Sequence, residues 1–238
     1  MSAATSPDTA GTILLIGASR GLGLAMAAEF LKRKWNVVGT VQSRDRTELH
    51  NLSDKHPGRI EIEFLDVTEP DQIMALHHRL SGRSFDILFH NAGIANANPH
   101  ASVAEVSTEE FVRVMVTNAL SPMRVIEELQ DLVPADGLIG IMSSGQGSIS
   151  NNEMGRNDIY RGSKAALNQF MRCYAARHTE ERRALVLMAP GWIRTALGGP
   201  DAPFGVEEAI PQVVDVLLSQ QGKPGLRYLD REGRTVPW

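Results

Sequence analysis

The chain carries a single cysteine, Cys173, in 238 residues. One thiol closes no internal disulfide, so a reducing, cytoplasmic compartment is the expectation, with Cys173 as a small core residue. Charge of one sign is also missing: 24 basic residues against 28 acidic ones leave a net −4. That balance provides no electrostatic footprint for nucleic acid or an anionic membrane, and both partners drop out. No apolar run approaches the length needed to span a bilayer, and the longest are strand-sized. Met1 to Ala10 lack the basic start and apolar stretch of a secretory leader and read as a loose tail. The one basic cluster, Lys32-Arg33-Lys34, falls at a helix end, where cations complement the dipole. Histidines and acids do not cluster at metal-ligand spacing, so no metal is expected. His90 reads as a buried, hydrogen-bonded histidine, and His77-His78 as solvent-facing residues on a helix.

What is present is core. With 42% hydrophobic and 22% charged residues, the chain has material for one buried core, and residues 11–238 read as one domain. The pattern alternates. Strand is expected over Thr12 to Ile16, helix over Leu24 to Leu31, strand over Trp35 to Val41 and helix over Thr47 to His56. Arg59 to Phe64, Pro70 to Leu80 and Phe85 to Phe89 continue as strand, helix and strand. One long helix is expected from Thr108 to Leu132, then strand Leu138 to Met142, helix Asn157 to Ala176 and strand Ala184 to Met188. Val206 to Ser219 has helical spacing, and Leu226 to Leu229 reads as a short last strand. Such alternation argues for an α/β fold, a parallel sheet with helices on both faces.

Two local patterns carry chemistry. Tyr160-Arg161-Gly162-Ser163-Lys164 places a phenol and an ammonium one helical turn apart on one face. Phenol is a poor acid and a worse base near pH 7. A unit charge about 4 Å away at an effective dielectric near 20 is worth roughly 4 kcal/mol, or about three pKa units, enough to bring tyrosine near neutrality. Upstream, Gly17-Ala18-Ser19-Arg20-Gly21-Leu22-Gly23 links the first strand to the first helix. Glycines there allow a tight turn and close backbone approach to a pyrophosphate, which the N–H groups and dipole of the helix start stabilise. In an open parallel sheet ligands bind beyond the carboxyl ends of the strands. Asp66-Val67, Asn91-Ala92-Gly93, Ser143-Ser144 and Pro190-Gly191 all follow strands and share that rim.

The glycine turn, Asp66-Val67, Asn91-Ala92-Gly93, Asn118, Ser143-Ser144, Tyr160-x-x-x-Lys164 and Pro190-Gly191-x-x-x-Thr195 together resemble the short-chain dehydrogenase/reductase family from Gly17 to about Pro203. Ser143 to Ile149, Pro190 to Thr195 and the closing Val236-Pro237-Trp238 look like its C-factor and carbonyl-reductase-like branch. The resemblance implies a Rossmann-type doubly wound sheet and a nicotinamide-dependent enzyme interconverting a carbonyl and an alcohol. Asn118, Ser144, Tyr160 and Lys164 are its implied catalytic set. Tyr160 exchanges the proton, Ser144 bonds the substrate oxygen with Ser143 in support, Lys164 lowers the tyrosine pKa and holds the ribose, and Asn118 anchors a relay water.

Cofactor contacts carried over by the resemblance are Gly17, Ser19, Arg20, Gly21, Leu22, Gly23, Arg44, Asp66, Val67, Asn91, Ala92, Gly93, Tyr160, Lys164, Pro190, Gly191, Ile193 and Thr195. The second strand ends in Val41-Gln42-Ser43-Arg44, with no acid for a ribose 2′-hydroxyl. Arg20 and Arg44 suit a 2′-phosphate, so NADP(H) is favoured over NAD(H), although Gln42 stands where many NADP-using relatives carry arginine. Asp66 is assigned to the adenine amino group, and Thr68 to capping the next helix. Residues 145–158, 192–205 and Ile94 to Ala101 are the expected substrate loops, with Trp192 walling the pocket or joining the core. The partners expected are a small carbonyl or alcohol substrate and a second copy of the chain, in a homodimer or homotetramer paired through the two long helices. The rival readings are a dinucleotide-binding signalling module of C-factor type, which needs no turnover, and a sugar epimerase or dehydratase, disfavoured by chain length and glycine spacing.

Overall fold

The computed structural model describes residues 11–238, so the expected tail, Met1 to Ala10, lies outside the described residues. The first half runs β1 (Gly11–Ile16), α1 (Gly21–Lys32), β2 (Trp35–Val41), α2 (Glu48–Lys55), β3 (Ile60–Phe64), α3 (Pro70–Leu80) and β4 (Ile87–His90). The second runs α4 (Thr108–Met115), α5 (Ser121–Leu129), β5 (Leu138–Met142), α6 (Asp158–Arg177), β6 (Ala184–Ala189), α7 (Val206–Gln220) and β7 (Gly225–Asp230). All strand pairs are parallel, in the order β3-β2-β1-β4-β5-β6-β7. The winding reverses between β1 and β4, which opens a crevice at their carboxyl ends.

Strands β1, β4, β5 and β6 read as near-continuous apolar runs because both faces are covered. On one face Ile13, Leu15, Ile87 and Phe89 meet Phe30 of α1, Leu49 of α2 and Val213 and Leu217 of α7. On the other, Leu14, Leu88, Ile139 and Leu187 meet Ile73 of α3, Ile126 of α5 and Leu167 and Met171 of α6. Arg33 caps α1 and also bonds Glu29 and Asp215, tying α1 to α7.

Several expectations need correction. The long helix from Thr108 to Leu132 is not uniform: α4 widens into a π turn over Val116–Leu120 before α5, and the end tightens into a 3₁₀ turn over Gln130–Leu132. Pro122 explains the bulge, because it has no N–H for the Asn118 carbonyl four residues back. The first helix starts at Gly21 rather than Leu24, so the last glycines of the turn are its first residues. The N-cap of α3 is Glu69, and Thr68 instead donates to Asp66 through its backbone N–H and hydroxyl. Cys173 lies exposed on α6, on the helix side away from the core. His77 is partly buried and bonds Glu128 and Asp131, linking α3 to the region of α5. His90 is fully buried, as expected, but neither ring nitrogen has a hydrogen-bond partner.

Candidate active site

The crevice between β1 and β4 is built for close backbone approach. Gly17 has φ +84°, and its N–H donates to the Thr40 hydroxyl at 2.8 Å. Asn91 donates its side-chain amide to the Gly17 carbonyl at 2.8 Å. A Cβ on Gly23 would stand 2.0 Å from that same carbonyl, so only glycine lets the helix start pack against the turn. Ser19 and Leu22 are half-buried beside it, while Gly21 is exposed and has open space around its Cβ position. Arg20, at the N-cap, is exposed, and no side chain caps the helix. The first N–H groups of α1 thus keep their capacity for an anion.

At the end of β2, Arg44 is exposed and lies 5.0 Å over the Phe64 ring. Gln42 donates to Asp66 at 2.9 Å. Both Asp66 carboxylate oxygens therefore already accept bonds, one from Gln42 and the other from Thr68, and these hold its carboxyl below its ordinary range against the opposing effect of burial. Val67 is buried behind it. Asn91 and Ala92 both donate backbone N–H groups to the Ile16 carbonyl, which seals the strand end.

Asn118 is fully buried, and its amide forms a two-way clamp on one residue. It accepts from the Ile94 N–H at 2.9 Å and donates to the Ile94 carbonyl at 2.7 Å, with a further bond to Ser163 at 3.0 Å. A Cβ on Gly93 would lie 3.4 Å from Asn118 and 3.5 Å from Lys164 Nζ, so both converge on the loop after β4. The side chain of Asn118 is committed to that loop, so any relay water must be held by another atom of the residue.

The two serines part as the strand alternation requires. Ser143 turns inward and bonds Asn168 on α6 at 2.6 Å, whereas Ser144 is half-buried and accepts from Gln146 N–H at 3.1 Å. Ser144 also lies close enough to Tyr160 to favour ionisation of its phenol, against the larger effect of burial. Lys164 is buried, its Nζ 5.9 Å from the Tyr160 ring centre, and it donates to the Met142 carbonyl at 2.9 Å. Burial pushes the ammonium down to about 8, which leaves it charged at pH 7.

One sequence expectation fails here. The Tyr160 pKa lies above its ordinary value, because desolvation outweighs the hydrogen bond with Ser144. The Lys164 ammonium, 5.9 Å from the Tyr160 ring centre, also donates to the Met142 carbonyl, and desolvation of the phenol prevails.

Beyond β6, Gly191 has φ +92° after Pro190, and Ile193 is buried and bridges Phe204. Thr195 accepts from the Gly198 N–H at 3.0 Å and closes the turn inside that loop. Trp192 is 54% exposed with its indole N–H on the Gly198 carbonyl, so it lies over the loop rather than in the core. The sequence did not single out Thr40, Ser163, Asn168 or Tyr228. Thr40 and Tyr228 reach the site from β2 and β7, while Ser163 and Asn168 lie on α6 beside Tyr160 and Lys164 and are told from their neighbours only by their partners, Asn118 and Ser143. Among the described residues no group of three or more metal-ligating side chains comes together, and no helix is long and apolar enough to cross a membrane.

The family model described as enoyl-(acyl carrier protein) reductase matches residues 17–211. A Burkholderia multivorans structure described as a short-chain dehydrogenase/reductase with bound NADP is 65% identical, with TM-score 0.95, over 96% of this chain and 99% of that one. A carbonyl reductase from Pseudomonas aeruginosa PAO1 in complex with NADP is 31% identical, with TM-score 0.89, over 96% and 99%. The C-signal protein of Myxococcus xanthus is 30% identical over 155 residues, 64% of this chain and 92% of that protein. With the doubly wound sheet and the glycine crevice already in place, these matches show that the chain belongs to the short-chain dehydrogenase/reductase family of oxidoreductases.

Proposed function

We propose that the protein is an NADP(H)-dependent oxidoreductase that interconverts a carbonyl and an alcohol, with Tyr160 exchanging the proton. The observation that carries this reading is the convergence of Tyr160, Ser144 at the end of β5 and the buried Lys164 one helical turn on, whose ammonium bonds the Met142 carbonyl at that same strand end. The glycine cradle fits a dinucleotide: a side chain on Gly23 would collide with Gly17, and the uncapped start of α1 suits a pyrophosphate. Arg20 and Arg44 are exposed where a 2′-phosphate is expected, and both of the similar structures described above contain NADP. Asp66 would receive the adenine amino group by exchanging the Gln42 bond for it. Val67, the Asn91-Ala92-Gly93 turn and Pro190-Gly191 with Ile193 and Thr195 would line the rest of the cofactor site.

When bound, the nicotinamide supplies or takes the hydride. In reduction, negative charge grows on the carbonyl oxygen, and Tyr160 protonates it while Ser144 donates a second hydrogen bond. A phenol held above its ordinary pKa remains an acid throughout the neutral range, which favours reduction there. The charge of Lys164 would stabilise the phenolate left behind, and its ammonium would hold the ribose hydroxyls beside its bond to the Met142 carbonyl. The π turn at Asn118 is the candidate anchor for the water that returns the proton.

Residues 145–158 and 192–205 are the proposed substrate loops, with 94–101 beside them. The chain is proposed to work in the cytoplasm and to pair as a homodimer or homotetramer, for which Phe111 and Leu120 near α4 and Phe170 on α6 offer exposed apolar side chains.

The test is oxidation of NADPH and NADH by the purified protein with a panel of aldehydes, ketones and diketones, beside Tyr160→Phe. A loss in kcat of about 10² or more in the variant, with cofactor binding intact, supports the assignment. The similarity to C-signal favours a second reading, a dinucleotide-binding signalling module. Cofactor binding with no turnover of any carbonyl by the native chain would favour it.

A further inference from the structure

Tyr228 lies on the edge strand β7, outside every motif of the site, yet it touches the site directly. It is 1% exposed, and its hydroxyl donates to the backbone carbonyl of Ser144. After β7 the chain doubles back, with the Val236 N–H on the Tyr228 carbonyl at 2.9 Å and a bridge between Leu229 and Thr235. This brings Trp238 onto the Tyr228 ring, their centres 5.4 Å apart, with the Arg172 guanidinium 4.6 Å over the indole. The backbone oxygen of Trp238 then accepts two bonds from Ser150, from its N–H at 3.0 Å and its hydroxyl at 2.6 Å. Between these two anchors, Asn168 donates to the Gly147 carbonyl at 3.3 Å.

The segment from Ser144 to Ser150 is therefore held at both ends by residues 228–238. Gly147, packed against α6, and Ser148 are buried, whereas Gly145 and Ile149 on either side are exposed, so the ends of the stretch are where the Tyr228 and Trp238 bonds act. The Tyr228 bond fixes the peptide plane after Ser144, the residue whose hydroxyl accepts from the Gln146 N–H two residues on. Misplacing such a group by about 1 Å can cost 10²-fold in rate.

We propose that Tyr228 and Trp238 are positioning residues: Tyr228 aims the Ser144 hydroxyl at the substrate oxygen, and Trp238 pins the far end of the same loop at Ser150. The proposal rests on the reading of Ser144 as a catalytic residue, and the experiment separates the two. Tyr228→Phe, Ser144→Ala and the double variant are compared by kcat, KM for the carbonyl substrate and Kd for NADPH, with thermal melting as the check on folding. Removal of one hydroxyl that acts through Ser144 is expected to lower kcat about fivefold with Kd for NADPH unchanged. In the Ser144→Ala background the same change should alter kcat less than about twofold, because there is no hydroxyl left to aim. Trp238→Ala is expected to raise the substrate KM several-fold, and Trp238→Phe to restore it by keeping a ring on Tyr228.

Unchanged kcat in Tyr228→Phe, or losses that simply multiply in the double variant, would overturn the proposal while leaving Ser144 catalytic. Native kcat in Ser144→Ala would instead overturn the assignment of Ser144, and the positioning role with it.

Discussion

Acid should destabilise this protein through His90. The residue ends β4, paired on one side with Ile16 and on the other with Ile141, and is completely buried with neither nitrogen bonded. Burial, reinforced by the charge of Lys164, pushes its pKa from 6.5 down to about 3. Above pH 6.5 the imidazole is neutral whether the chain is folded or not, so the full stability is present. As pH falls below 6.5 the unfolded chain binds a proton that the folded chain refuses, and stability is lost progressively down to about pH 3. At pH 5 the loss is about 2 kcal/mol, taking 1.36 kcal/mol per pKa unit. That is a large share of a typical margin of about 5–15 kcal/mol. Lys164, at about 8, stays protonated throughout this range and adds no slope.

The assay is urea unfolding at pH 7.5 and pH 5, run on the native chain and on His90→Asn, which keeps a small polar side chain but does not titrate. Effects of the other histidines and the carboxylates are shared and cancel in the comparison. The native chain should lose about 2 kcal/mol more than the variant across this range. Equal losses would refute the argument and mean that His90 is protonated in the fold as readily as in the unfolded chain.

Two further outcomes are expected. Arg44→Ala should lower kcat/KM for NADPH about tenfold, the worth of one charge-assisted contact, and leave NADH nearly unchanged; an equal effect on both would make Arg44 a solvated loop charge. If the chain forms the proposed homodimer or homotetramer through these helices, Phe111→Glu with Phe170→Glu should yield monomers in light scattering, and an unchanged molar mass would place the interface elsewhere.

Much of the fold was legible in the chain because an α/β sheet writes itself in short apolar runs separated by helical periods. Pro70–Leu80 and Leu138–Met142 match the expected bounds, and the last strand, read only from Leu226 to Leu229, is the edge strand β7. The glycine turn was legible for a similar reason, since a backbone that must approach another backbone leaves glycine in the sequence. The π turn at Asn118 was missed because helical spacing hides one extra residue in a turn, although Pro122 marked the cause.

The order of strands and helices and the Tyr160–Lys164 spacing could be read from the chain alone, because both depend on residues close together in it. The electrostatics came from packing. Burial raised the Tyr160 pKa where spacing alone suggested a fall, and it orphaned His90. It also brought Asn168 to Ser143 and Tyr228 to Ser144, across separations of 25 and 84 residues. Desolvation and contacts of that range are properties of packing, and no local pattern in a single chain encodes them.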